Sequence, residues 1–379
     1  MKNIGIIVLD EKIDSGVYQY SLSLIESLST DKQNTYTLFT HKDNSTFDHL
    51  NIKIVKVNVQ INRLQKLLIF FFLALNIKKD FIFSKTLMLE FKGIDLFITP
   101  YISFFPHFFL NKDYIFVLHD MQEKYFPNFF TKKELFRRDI VNISLSKHAK
   151  YILCESDFVK NDIHIFLDIP NHKIHRIEAP PPNNFEQFIY TQEKAKIIKH
   201  KYSLPNKYIY YPAQFWPHKN HKKLLEALQL VLKEQKDLYL VLTGSQQNYF
   251  YDVMSYAEYL DIKENIVYLG YVDYDELPYL YKASQMLVMP SLYESISIPI
   301  FEAFSLGVPV CASNIVAIPQ QVGDAGLLFD PNSSEEIANS ILKCLDSDIQ
   351  KKLSENGVKK IKEFDKMIFQ KKVLELVYS

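Results

Sequence analysis

An α/β chain of two successive open sheets, with parallel strands and crossover helices, is the fold the sequence predicts. Three observations carry this. Short β-rich apolar runs alternate with longer helical patterns, three consecutive prolines at 180–182 interrupt the alternation, and it then starts again. A chain of 379 residues, 47% of them hydrophobic, is long enough for two cores of ordinary size.

In the first half the strand-like runs are 4–9, 36–40, 52–57, 95–99, 114–119, 151–154 and 173–177, with helical patterns over 17–28, 64–77 and 131–148. The prolines at 180–182 can continue neither a helix nor a central strand, so they mark a linker. A polar helix over 193–201 follows. The strand-like runs of the second half are 208–213, 238–243, 266–269, 286–289, 308–312 and 326–329, with helices over 222–233, 249–260, 276–282, 299–306 and 335–345. Residues 349–378 read as helical, with a break near Phe364 and Asp365. The expected domains are 1–182 and 183–362, with a last helix at 363–379 packing back on the N-terminal domain. Ligands of open α/β sheets bind at the carboxyl ends of the strands, so a cleft between two such sheets is the expected site.

Forty-four Lys and Arg balance forty-four Asp and Glu, which argues against a general nucleic-acid binder. The arginines are Arg63, Arg137, Arg138 and Arg176, all in the first half. An anion held in the second half therefore needs lysine, backbone amides or a helix end. Cys154, Cys311 and Cys344 are far apart and read as reduced core residues of a cytoplasmic protein. No Cys/His cluster has zinc spacing, so no metal is expected. The N-terminus turns acidic at Asp10, too early for an export signal, and reads as a first strand. The apolar run 67–75, with Arg63, Lys66, Lys78 and Lys79 around it, is well short of the roughly 20 residues that cross a bilayer. Two readings of it stand: a buried helix, or a helix dipping into a membrane surface, which the aromatic stretches 101–110 and 125–130 also favour.

Four segments carry chemistry. In 290–310 a strand ends, a loop holds Glu294, and a helix starts near Ser297, which is placed to cap it, with Pro299 in its first turn and Gly307 at its end. The amides after Glu294 and the positive helix end form an anion site. Glu294 and Glu302 then face one cleft, where carboxylates suit sugar and ribose hydroxyls. Two solvent-facing glutamates are the plain alternative. In 211–221, Lys219 follows the first strand of the second domain and points a cation toward the same place, with His218 and His221 beside it. In 117–127, His119 ends a strand and Asp120 follows. In 14–18, Gly16 lies between the first strand and the first helix.

Segment 290–310 resembles the retaining family 4 glycosyltransferases of the GT-B fold, built from two Rossmann-like domains, whose signature pairs two glutamates with seven residues between. The resemblance runs through nearly the whole chain, dense over 208–331 and thin over 30–110. It departs from the family at Ser295, Ile296 and Ser297, where glycines and a phenylalanine are usual, and at Gln214, where many relatives carry arginine. The resemblance implies that Lys219 binds the donor pyrophosphate and that His119 and Glu294 position the transferred sugar. It implies that Glu302 holds the ribose and that the loop Ser295, Ile296, Ser297 and Ile298 receives phosphate. Gly16, Gln214 and Gly244 are implied to line the donor site, and Tyr271 and Val272 to lie by the base.

The expected reaction is metal-independent hexose transfer with retention of configuration, without a cofactor, from a nucleoside diphosphate sugar. GDP-mannose is the donor the mannosyl-type branch suggests. The acceptor is a glycan or a lipid-linked glycan of surface polysaccharide or lipopolysaccharide synthesis. The work is expected in the cytoplasm, at the inner membrane face where membrane contact is made. An epimerase or hydrolase of the same fold and a non-catalytic nucleotide-binding scaffold are the rivals.

Overall fold

A computed structural model describes residues 1–9, 15–41, 45–57, 62–77, 91–103 and 112–379. Packing divides the chain into two units, Met1–Ala179 with Lys366–Ser379, and Pro180–Asp365.

The first unit runs β1 Asn3–Val8, α1 Ser15–Ser29, β2 Thr35–His41, β3 Lys53–Val57, α2 Arg63–Ala74, β4 Leu96–Thr99, β5 Asp113–Val117, α3 Lys132–His148, β6 Tyr151–Cys154, α4 Asp157–Leu167 and β7 Ile174–Arg176. Among the described residues its strands form one parallel sheet in the order β3-β2-β1-β4-β5-β6-β7. The order reverses between β1 and β4, where Ile4 pairs with Leu96 on one side and Tyr36 on the other. Gly5 lets the strands close here, since a Cβ would meet the Phe97 ring at 2.7 Å. The core packs Ile7, Phe39, Phe97 and Phe116 against Val159 and Ile163. The helix Lys366–Tyr378 returns to this unit: Phe369 meets Tyr20 edge to face at 5.6 Å, and Lys366 pairs with Glu26 at 2.8 Å.

The second unit runs α5 Asn183–Glu186, α6 Gln192–Lys201, β8 Tyr208–Pro212, α7 His221–Val231, β9 Tyr239–Thr243, α8 Phe250–Tyr259, β10 Ile266–Tyr268, α9 Leu277–Ala283, β11 Met286–Met289, α10 Ile298–Ser305, β12 Val310–Ser313, α11 Ile318–Val322, β13 Gly326–Phe329, α12 Ser334–Cys344 and α13 Ser347–Lys360. Its sheet is also parallel, in the order β10-β9-β8-β11-β12-β13. The reversal lies between β8 and β11, where Met286 pairs with Ile209. Ligands of such a sheet bind at the carboxyl ends of the two strands where the order reverses.

Three sequence expectations change. The helix α4 was not read, although Ser156 caps it by accepting from the Val159 amide at 3.3 Å. Gly16 sits inside the first turn of α1 rather than in a turn before it, while Asp14 lies outside the described residues. The helix of the 67–75 run is not wholly buried. Ile69 and Leu73 go into the core, but Leu64, Leu67, Leu68 and Phe71 face outward. Lys78, Lys79 and 104–110 lie outside the described residues. The cysteines are buried and free, as expected.

Candidate active site

Two loops meet at the switch point of the second sheet. After β8 the chain passes through Gln214 and Trp216 into a 3₁₀ turn, Pro217–Lys219, and Asn220 opens α7 with φ of +59°. Asparagine tolerates that left-handed backbone, and its side chain turns the corner into a clamp. Its Nδ2 donates to the Pro290 carbonyl at 2.9 Å and to the Pro331 carbonyl at 2.8 Å. The Leu292 amide donates to the His218 carbonyl at 2.7 Å, and the Tyr211 hydroxyl donates to the Lys219 carbonyl at 2.7 Å. So laced, the loops set the Lys219 Nζ 2.6 Å from the Glu294 Oε1. The structure thus joins the two residues assigned to the donor's charged and sugar ends.

The neighbouring histidines add no charge. Burial first, then the Lys219 ammonium, pushes His218 and His221 each down to about 3. His221 is stacked on Phe215 with ring centroids 4.3 Å apart. Both are neutral at neutral pH, which leaves Lys219 to supply the cation.

Ser297 stands at the cap of α10, but its hydroxyl makes no cap bond and is buried without a partner among the described residues. Gln321 of α11 does the capping instead. Its Oε1 accepts from the Ser297 amide at 2.9 Å, and its Nε2 donates to the Ser297 carbonyl at 2.7 Å. The Ser297 amide is therefore already bonded, a correction to the reading in which 295–297 all offered amides. Among the described residues the amides of Ser295 and Ile296 donate to no protein acceptor, so they remain for an anion at the helix mouth. The Ile298 side chain is buried.

Glu302, one turn into α10, is buried. Its Oε2 accepts from the Tyr281 hydroxyl at 2.5 Å. Burial pushes its pKa up to about 7, and the Tyr281 bond counters this in part. Glu302 is thus more deeply placed than Glu294, with one oxygen already engaged. Gln214 has its carbonyl oxygen engaged by the Trp216 indole at 2.9 Å and by Gln247 at 3.1 Å, leaving its amide nitrogen as the group to offer. Gly244 is a packing requirement: at φ +125° a Cβ would lie 2.6 Å from the Ala213 carbonyl oxygen. Tyr271 is 83% exposed, whereas the Val272 side chain is in the core, so only the Val272 main chain can reach a ligand.

In the first unit His119 follows β5. Its Nδ1 meets the Glu155 carboxylate and its Nε2 lies 2.9 Å from the Pro100 carbonyl. Burial alone would push its pKa down, but the Glu155 charge and both hydrogen bonds outweigh this and hold it above the usual value. Acceptors at both nitrogens favour the form of the ring that donates from each. Both nitrogens are spent inside the domain, so neither is free for a sugar hydroxyl. Gly16 is exposed on α1. Sequence reasoning missed Gln321, Tyr281, Glu155 and Asn220. Only Asn220 left a local signal, at the end of the Trp-Pro-His-Lys-Asn run.

Residues 192–360 match the family of glycosyl transferases group 1. The chain is similar to O-antigen chain mannosyltransferase B of Escherichia coli, 34% identical over 219 residues covering 57% of each chain. It is also similar to O-antigen chain mannosyltransferase RfbU of Salmonella typhimurium, 26% identical over 59% of this chain and 58% of that one. The chain spans little more than half the length of these relatives. Among solved structures, Anabaena Alr3699/HepE in complex with UDP and glucose superposes with a TM-score of 0.78 at 16% identity, covering 100% of both chains. The expected fold, α/β with two Rossmann-like domains as in GT-B glycosyltransferases, is the fold found. The match to the group 1 glycosyl transferases thus spans nearly all of the second unit.

Proposed function

We propose that the chain is a glycosyltransferase that moves a hexose from a nucleoside diphosphate sugar to a glycan or lipid-linked acceptor, with retention of configuration, in surface polysaccharide or lipopolysaccharide synthesis. The observation that carries this is the contact of Lys219 with Glu294 at the mouth of α10, beside the unbonded amides of Ser295 and Ile296.

The leaving group is a diphosphate, and its charge grows as the sugar–oxygen bond breaks. Lys219 and the two amides are fixed before the reaction, so they stabilise that charge without reorganising. Each such donor is worth about 2–4 kcal/mol in a transition state. On binding, the diphosphate takes the ammonium from Glu294 and frees that carboxylate to accept from sugar hydroxyls. Glu302 accepts from the ribose with the oxygen that Tyr281 leaves. Ser295, Ile296, Gln214, Tyr271 and the Val272 main chain complete the donor site. The leaving phosphate takes the acceptor proton, so no side chain is assigned as base. Lys219 meets the need for a cation that a metal meets elsewhere, and turnover unchanged by a chelator is expected. The names of the two mannosyltransferase relatives support GDP-mannose as donor. A lipid-linked acceptor is held in a bilayer, which places the chain at the cytoplasmic face of the inner membrane.

A thermal-shift screen of nucleoside diphosphates tests the reading. GDP should raise the melting temperature more than UDP, ADP or CDP, and loss of the shift in Lys219→Ala should follow. No response to any of them would sink the donor assignment, and sugar release from the donor alone would identify a hydrolase.

A further inference from the structure

One face of α2 meets no partner among the described residues. Ile69 and Leu73 point into the core, while Leu64, Leu67, Leu68 and Phe71 recur at three- and four-residue intervals on the other side. Leu64 is 66% exposed, Leu67 63% and Phe71 55%. The first turns of α3 extend the patch: the Phe70 and Phe136 rings are 5.9 Å apart, and Phe136 is 61% exposed. A contiguous apolar surface of this kind marks an interaction site.

The charges around the patch say which kind. Arg63 and Lys66 stand on α2, which holds no acidic residue. Lys132, Lys133 and Arg137 stand exposed on α3. None of these five enters an ion pair among the described residues. Glu134, the acid in their midst, is turned back on its own helix, accepting from the Thr131 amide at 2.8 Å. An apolar stripe framed by unpaired cations complements a bilayer with anionic headgroups. The leucines and Phe71 enter the acyl boundary, and the ammonium and guanidinium groups stay among the phosphates. Among the described residues no helix is long and apolar enough to cross a membrane, so α2 would lie on the surface.

We propose that α2 and the first turns of α3 form a docking surface for an anionic lipid bilayer. The proposal rests on the membrane-side localisation given above and names the residues that make the contact. The test is sedimentation of the full chain with vesicles of phosphatidylglycerol and phosphatidylethanolamine, against vesicles of phosphatidylcholine alone. Binding is expected to the anionic vesicles and to fall with salt. A Leu64→Ser, Leu67→Ser, Phe71→Ser variant and an Arg63→Glu, Lys66→Glu variant should each partition about tenfold more weakly or worse. Both should keep the wild-type melting temperature and nucleoside diphosphate response. Anionic-vesicle binding that survives both variants overturns this surface while sparing the localisation. Absence of binding by the wild type overturns both, and leaves the donor reading intact if GDP still raises the melting temperature. A dimer by light scattering that the triple serine variant dissolves, without vesicle binding, would assign the face to a second copy and overturn the lipid proposal.

Discussion

The Lys219 ammonium sits 2.6 Å from a carboxylate, so the diphosphate of the proposed donor must win it from Glu294. The exchange favours the ligand because a diphosphate carries more charge and brings more acceptors than one carboxylate. Lys219→Ala should therefore lower kcat/KM by about 30- to 1,000-fold, the equivalent of 2–4 kcal/mol, with little change in melting temperature; steady-state kinetics beside circular dichroism would show it. Glu302 gives a second prediction. Its pKa rises from 4.5 to about 7 on folding, so the folded state holds a proton that the unfolded state releases. Stability should fall as pH rises from 4.5 to 7, by on the order of 3 kcal/mol, and stay low above that. Glu302→Gln should flatten this slope in melting curves taken between pH 5 and 8, and should weaken nucleotide binding by calorimetry. Lys219, Glu294 and Glu302 were legible in the sequence because each falls at a fixed step from a strand end or helix start. Gln321, Tyr281 and Glu155 were not. They reach their partners across 24, 21 and 36 residues, and no local pattern marks a side chain that meets a distant one.

The elements were read from periodicity, and that worked where one face is apolar and the other polar. It failed at α4, whose outward Ile165 and Phe166 and inward Asp162 blur the stripe. It was undecided at α2, which is apolar on two sides and carries no sequence sign of which side turns inward. The pairing of α10 with α11 is the element-scale feature with most bearing on the reaction. Gln321 bonds the amide and carbonyl of one residue at once, fixing the mouth of α10 relative to α11. Gln321→Ala leaves the buried Ser297 amide unpaired, a cost of about 1–3 kcal/mol, and leaves the Ser297 carbonyl with the Ile300 amide alone. The helix mouth should loosen, raising the KM for the donor sugar at least tenfold. Gln321→Glu keeps the acceptor for the Ser297 amide but loses the donor to its carbonyl, so it should fall between wild type and alanine. Donor KM values of the three proteins check the order.

On the scale of the whole chain, the alternation of strand and helix made two sheets legible without any structure, since a parallel strand order requires crossovers of the lengths seen. The acceptor side was not legible, because its loops hold no repeated chemistry. The first unit takes in a helix from far along the sequence: Phe369, Val373, Leu376 and Val377 of Lys366–Tyr378 are buried there. Fully burying a large apolar side chain is worth about 1.5–3 kcal/mol. Ending the chain after Asp365 should therefore lower the melting temperature of the first unit strongly, while the second unit keeps its own transition in calorimetry.

That returning helix also sets an order of events on the ribosome. The sheet of the first unit emerges early yet waits for its last helix through the synthesis of 180–365. During that interval the part of α1 that Phe369 covers is bare, and the nascent chain presents an oily surface that a chaperone would recognise. The second unit, contiguous in sequence, finishes first.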